Sequence, residues 1–134
     1  MEYKNIVATI YLKNGRAVKS LTDFTPVGDV LERAKIYNDC GIDKIFLFDL
    51  SDDDEEHEKN LQTMRDLNRS LEIKVCAGGN INRFEDIKKI FYTGCIQVML
   101  NGSKKNSIEL AQEARRRFGK DSVFFHCVHI HFPV

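Results

Sequence analysis

The chain has 134 residues, 43% of them apolar and 30% charged, and its twenty basic and twenty acidic side chains balance to a formal net charge of zero. That size suits one domain with its own core, and a balanced charge excludes a nucleic-acid binder that works through a basic surface. With no run of about 18 apolar residues, no basic-then-apolar start and four cysteines (Cys40, Cys76, Cys95, Cys127) lacking CxxC spacing, a cytoplasmic protein with free thiols and no membrane contact is expected.

The segment Ile6 to Leu12 is short, apolar and rich in β-branched residues, and Lys13-Asn14-Gly15-Arg16 supplies a turn after it. It reads as a first strand. A loop through Lys19 and Asp23 follows, then a helix from about Pro26 or Asp29 to Cys40, closed by Gly41. Lys44 to Leu50 is a second strand. Its consecutive Phe46, Leu47 and Phe48 predict burial on both faces, as in a parallel sheet covered by helices. The acidic run Asp52 to Glu56 suits a helix N-terminus, and that helix continues to about Ser70 with Leu61, Met64 and Leu67 as its inner stripe. Ile73 to Ala77 is a third strand, stopped by Gly78-Gly79-Asn80. Asn82 with Glu85 has the spacing of a capping box, opening a helix that ends at Gly94. Ile96 to Asn101 is a fourth strand. Asn106 with Glu109 repeats the capping pattern, and that helix runs to Phe118 and Gly119. Ser122 to about Val128 is a fifth strand.

Strict alternation of strand and helix implies a parallel sheet with right-handed crossovers. The segment Gly41 to Phe48 is similar to Gly94 to Asn101, two βα units further on. A repeat of that size suits a barrel built from duplicated pieces. The expected fold is therefore α/β, half of a (β/α)8 barrel with about four βα units and a fifth strand. Residues 1–121 form the half-barrel, and residues 122–134 form the fifth strand and an atypical C-terminal tail.

Four strand-end motifs carry a family resemblance. Leu12-Lys13-Asn14-Gly15-Arg16-Ala17-Val18-Lys19 is similar to a K-x-G-[RK]-x-V-[KR] stretch after strand one. Phe46 to Leu50 is similar to a second strand ending in Asp. Ala77-Gly78-Gly79-Asn80-Ile81 is similar to a G-G-G-I loop, and Val98 to Ser103 is similar to the end of strand four. Together they resemble the phosphoribosyl barrel enzymes of histidine biosynthesis, the cyclase subunit of imidazole glycerol phosphate synthase and its sister isomerase. The resemblance spans residues 4 to 121, about half of a barrel of ~250 residues. It implies a sugar-phosphate ligand. It also implies an acid–base pair of Asp residues at the ends of strands one and five. Here Tyr11 stands at the first position, and Phe125-His126-Cys127-Val128 offers no Asp at the second. Tyrosine, with an ordinary pKa of about 10, is a poor base at neutral pH.

Gly78, Gly79 and Asn80, and Asn101, Gly102 and Ser103, are candidate phosphate loops. Glycines let backbone N–H groups approach an anion, each loop precedes a helix N-terminus, and barrel ligands bind at the C-terminal ends of the strands. Plain turn chemistry accounts for the same residues. By resemblance, Lys19 faces substrate. Asp49 is either the family's strand-two carboxylate or a loop-capping Asp. Cys127, His129 and His131 share one face of an extended segment, a spacing compatible with zinc, but no metal site is assigned and no cofactor is expected. Three readings follow. The first is a half-barrel that binds a phosphoribosyl-type ligand and pairs with itself, or with a partner or fused domain, to complete the barrel. The second is an active isomerase or cyclase. The third is a flavodoxin-like regulatory module.

Overall fold

The computed structural model describes residues 6–126. The elements run β1 (Val7–Lys13), β2 (Arg16–Val18), β3 (Pro26–Gly28), α1 (Val30–Asp39), β4 (Lys44–Asp49), α2 (Asp54–Ser70), β5 (Lys74–Gly78), α3 (Phe84–Tyr92), β6 (Gln97–Asn101), α4 (Ser107–Phe118) and β7 (Val123–His126). They build one sheet of order β3-β2-β1-β4-β5-β6-β7. The pairs β1–β4, β4–β5, β5–β6 and β6–β7 are parallel, so the alternating α/β plan expected from the sequence is present, fifth strand included.

One stretch differs. The segment read as a loop and a helix start contains β2 and β3, which extend the sheet antiparallel beyond β1. Asn14 and Gly15 both have positive φ, at 54° and 77°, the conformation of a tight hairpin turn. Pro26 lies in β3, and α1 begins only at Val30, where the Asp29 carboxylate accepts from Glu32 N–H. The expected Asn82–Glu85 capping box is also displaced. The helix starts one residue later, and the Asp86 carboxylate accepts from the backbone N–H of both Asn82 and Arg83 at 3.0 Å. Asn106 does precede α4, but its side chain makes no cap bond and donates to Asn82 O instead.

The sheet has two unlike faces. On the helix side Ile10, Leu12, Ile45, Leu47, Val75, Ala77, Val98, Leu100 and Val123 are buried with Ala34, Leu61, Met64, Leu67, Ile87, Ile90, Ala111 and Ala114. This two-layer core follows from period-two alternation meeting helical spacing. On the other face Tyr11, Phe48, Gly78, Met99 and Phe124 share one row of the register. That face is concave. The rings of Phe46 on β4 and Phe124 on β7 lie 6.3 Å apart, and Phe48 and His126 lie 5.9 Å apart. Three strand intervals of about 4.8 Å would keep a flat sheet's side chains far from such contacts, so the sheet curls as a barrel wall does.

Gly78 permits the ring contact. A Cβ there would stand 3.1 Å from Phe46 Cζ and 2.8 Å from Met99 O. The edge of β1 from Val7 to Ile10 has no strand against it on the side away from β4 among the described residues. Val7 on the inner face is 49% exposed, and Phe125 on the outer face of β7 is 40% exposed. No described helix is long and apolar enough to cross a membrane. Residues 127–134, with Cys127, His129 and His131, lie outside the described residues.

Candidate functional site

A cavity of about 300 Å³ opens at the C-terminal ends of the parallel strands. Phe48, Leu50, Ser51 and Asp52 line it from the end of β4. Gly79, Asn80 and Ile81 line it from the end of β5, Met99, Asn101 and Lys104 from β6 and its loop, His126 from β7, and Phe24 from the β2–β3 loop. Parallel strands deliver these residues to one place because each ends at the same edge and turns outward into its helix.

Asp49 ends β4 on the helix side, in register with the buried Leu12. Its carboxylate is 1% exposed. It accepts from His57 Nδ1 at 2.5 Å, Asn60 Nδ2 at 2.6 Å and Ser51 N–H at 2.9 Å. Burial pushes this carboxyl upward, but the bonds from His57, Asn60 and Ser51 outweigh it and hold Asp49 below the ordinary carboxylate range. The same bond raises His57 above the usual histidine value, against the opposing effect of its own burial. Asp49 thus fixes the Ser51 turn and the start of α2, and its carboxylate faces away from the cavity. Asn60, on the inner stripe of α2, also accepts from Gly15 N–H at 2.8 Å and ties the hairpin turn to the same network.

The β5–α3 loop owes its shape to close packing. Gly79 has φ +92°, and a Cβ there would come within 2.4 Å of Asp49 O. Asn80 stands where the family motif has its third glycine. It keeps the left-handed backbone at φ 56°, a region Asn tolerates better than other side chains. Its Nδ2 donates to Ser51 O at 2.5 Å and to Ser51 Oγ at 2.9 Å, which joins the β4 and β5 loops.

Lys104 joins the next two loops. Its Nζ donates to Asn82 Oδ1 at 2.9 Å and to Ile81 O at 3.3 Å. The Asn101-Gly102-Ser103 turn is closed by Ser103 N–H donating to Asn101 Oδ1 at 2.9 Å and by Gly102 N–H donating to His126 O at 2.9 Å. Lys104 is the only lysine or arginine on the cavity wall among the described residues. Lys13, nearby, is held by Asp52 at 2.5 Å and Glu56 at 2.8 Å and lies beneath the Phe24 ring at 5.2 Å. Those two carboxylates raise its pKa, so Lys13 stays protonated.

Of the residues singled out from the sequence, Asp49, Gly79, Asn80 and Asn101 border the cavity. Gly102 and Ser103 lie in the β6–α4 loop and Gly78 at the end of β5, and none of the three lines the cavity. Tyr11 and Lys19 border a different cleft, beside Val18, Val27 and Tyr37. Lys19 is 67% exposed on its side chain and faces Asp23 at 3.8 Å. Lys104, His126, Phe24 and Ser51 also border the cavity, and the sequence pattern did not mark them as site residues. Lys104 had a visible signal, a basic residue directly after Asn-Gly-Ser, whereas Phe24 sits in a hairpin whose strands are too short to show a period. Among the described residues no group of three His, Cys, Asp or Glu side chains is placed to hold a metal ion.

Comparison with known proteins adds a lineage to this geometry. Residues 5–127 match the sequence profile of the family described as "Histidine biosynthesis protein". The chain is 29% identical over 122 residues to the "Imidazole glycerol phosphate synthase subunit HisF" of Streptococcus sanguinis, covering 90% of this chain and 48% of that protein. It is 31% identical over 122 residues to the subunit of the same name from Chloroherpeton thalassium, covering 90% of this chain and 49% of that protein. The chain thus spans about half the length of the curated relatives it matches. With the C-terminal ends of four parallel strands meeting at one cavity and a profile match over nearly its whole length, this chain belongs to the histidine biosynthesis protein family.

Proposed function

We propose that the cavity binds a phosphoribosyl-type ligand, with the phosphate near Lys104 and the Asn101-Gly102-Ser103 turn and the sugar toward Asn80. The supporting observation is the convergence of one lysine, two Asn side chains and the N-terminal loops of α3 and α4 on a 300 Å³ space at the ligand-binding end of the strands. Isothermal titration with ribose 5-phosphate tests it. Micromolar to low-millimolar binding is expected in the wild type, and Lys104→Ala should weaken it about tenfold, the scale of one charge-assisted hydrogen bond. Heat signals that are flat for every phosphosugar would reduce this site to turn chemistry.

The half-barrel works in this reading as one wall of a larger barrel. A second copy or a further run of βα units covers the concave face and the free edge of β1. The residues on hand favour binding over proton transfer. Asp49 faces α2, Asp52 is tied to Lys13, and Tyr11, a poor base, lies on the concave face with its ring 6.3 Å from that of Phe48. The alternative, an active isomerase or cyclase, requires an acid–base pair, and growth of a histidine auxotroph carrying this chain alone would favour it.

A further inference from the structure

We infer that His126 contacts the ligand of this cavity as a neutral hydrogen-bond donor, recognising a phosphorylated sugar through one of its hydroxyl or carbonyl oxygens. The inference rests on the sugar-phosphate reading above and goes further by assigning the part of the cavity wall that β7 supplies. His126 stands in register with Asn101, so the two side chains lie on adjacent strands of the concave face. Its ring packs against Phe48 at 5.9 Å and 59°, an apolar backing that fixes its plane.

The state of the ring follows from its Nδ1. That atom is fully buried and has no hydrogen-bond partner among the described residues. Protonating the ring would place a second N–H against a surface with no acceptor among the described residues, so the imidazole stays neutral. The single proton then has two possible seats. A buried N–H without an acceptor is costlier and rarer than a buried lone pair without a donor. The proton therefore sits on Nε2, and Nε2–H is the group available to a ligand oxygen. Burial acts in the same direction, lowering His126 below the ordinary histidine value. The charged groups on the same cavity are Lys104, Asp52, which Lys13 neutralises, and Asp49, whose carboxylate is held by His57 and Asn60. Among the described residues no carboxylate holds His126 as Asp49 holds His57.

The test combines wild-type spectroscopy with two variants. Long-range ¹H–¹⁵N NMR at neutral pH should show His126 as the Nε2–H tautomer, and its Nε2 resonance should move on addition of ribose 5-phosphate. Calorimetry with the same probe should show His126→Phe binding roughly five- to tenfold more weakly, the loss of one hydrogen bond. His126→Gln, whose amide N–H reaches a similar point, should stay within about twofold of wild type. An Nδ1–H or doubly protonated ring, or His126→Phe binding as wild type does, overturns the assignment while leaving the sugar-phosphate site standing. A wild type that binds no ribose 5-phosphate overturns the site itself and the His126 contact with it.

Discussion

At the scale of single residues, the part-buried Asp49–His57 pair sets a pH window for stability. His57 has a raised folded pKa, so its contribution is fully present below its unfolded value of about 6.5 and is lost as pH rises through the folded value. Asp49 has a depressed folded pKa, so its contribution is fully present above its unfolded value of about 4 and is lost as pH falls through the folded value. The two together are strongest between about pH 4 and about pH 6.5. Urea melts of wild type and His57→Gln should therefore differ most in that interval and converge toward pH 9. A constant gap would show that the pair does not titrate. Asp49→Ala, which leaves His57 and Asn60 without their acceptor, should cost about 3 kcal/mol in the same melts. Glycines offer a second comparison. Gly79 and Gly119 both have positive φ, but only Gly79 has backbone in the way of a Cβ. Gly79→Ala should cost roughly 2–4 kcal/mol and Gly119→Ala about 1 kcal/mol, by thermal or chemical unfolding. Equal costs would mean that the loop yields and that close packing does not dictate the glycine.

At the scale of elements, the hairpin β2–β3 is the least anchored part of the sheet. It has three-residue strands and attaches through Tyr11, Leu12 and Lys13 on one side only. Amide hydrogen exchange should release Val18 and Val27 well before Leu47 and Ala77, whose strands lie between two neighbours. Equal protection would tie the hairpin to global unfolding. The same contrast explains what could be read from the sequence. The βα repeats were legible because each strand is a run of apolar residues and each helix carries a buried stripe such as Leu61, Met64 and Leu67. The hairpin was not legible, since Ser20 to Thr25 has turn composition and three residues carry no period; Asn14-Gly15, the turn between β1 and β2, was the one overt sign of a strand beyond β1. The site was legible where backbone demanded a special residue, as at Gly79 and Asn80. It was not legible where the fold alone brings residues together. His126 is ordinary in sequence and comes to line the same cavity as Lys104 only because β6 and β7 pair. Lys19 shows the converse, a motif match that the hairpin carries to another cleft.

At the scale of the whole molecule, the proposal that more βα units complete the barrel predicts self-association when the chain is alone in solution. The free edge of β1 and the exposed Val7 and Phe125 leave backbone and apolar surface uncovered. Sedimentation at micromolar concentration should show a dimer, and Val7→Asp on the inner face should shift it toward monomer. A well-folded monomer across that range would remove the case for self-pairing.

The missing side chain at Gly78 has a further consequence for that assembly. It lets Phe46 reach across the concavity to Phe124, so this wall already fills interior space that an eight-stranded barrel shares among all its strands. Whatever closes the barrel must either present small side chains opposite these rings or wait for them to change rotamer. Joining is then a repacking step with a kinetic barrier. Its association rate should fall below the usual 10⁵–10⁷ M⁻¹s⁻¹ of preformed surfaces and should rise when Phe46 is shortened to Leu.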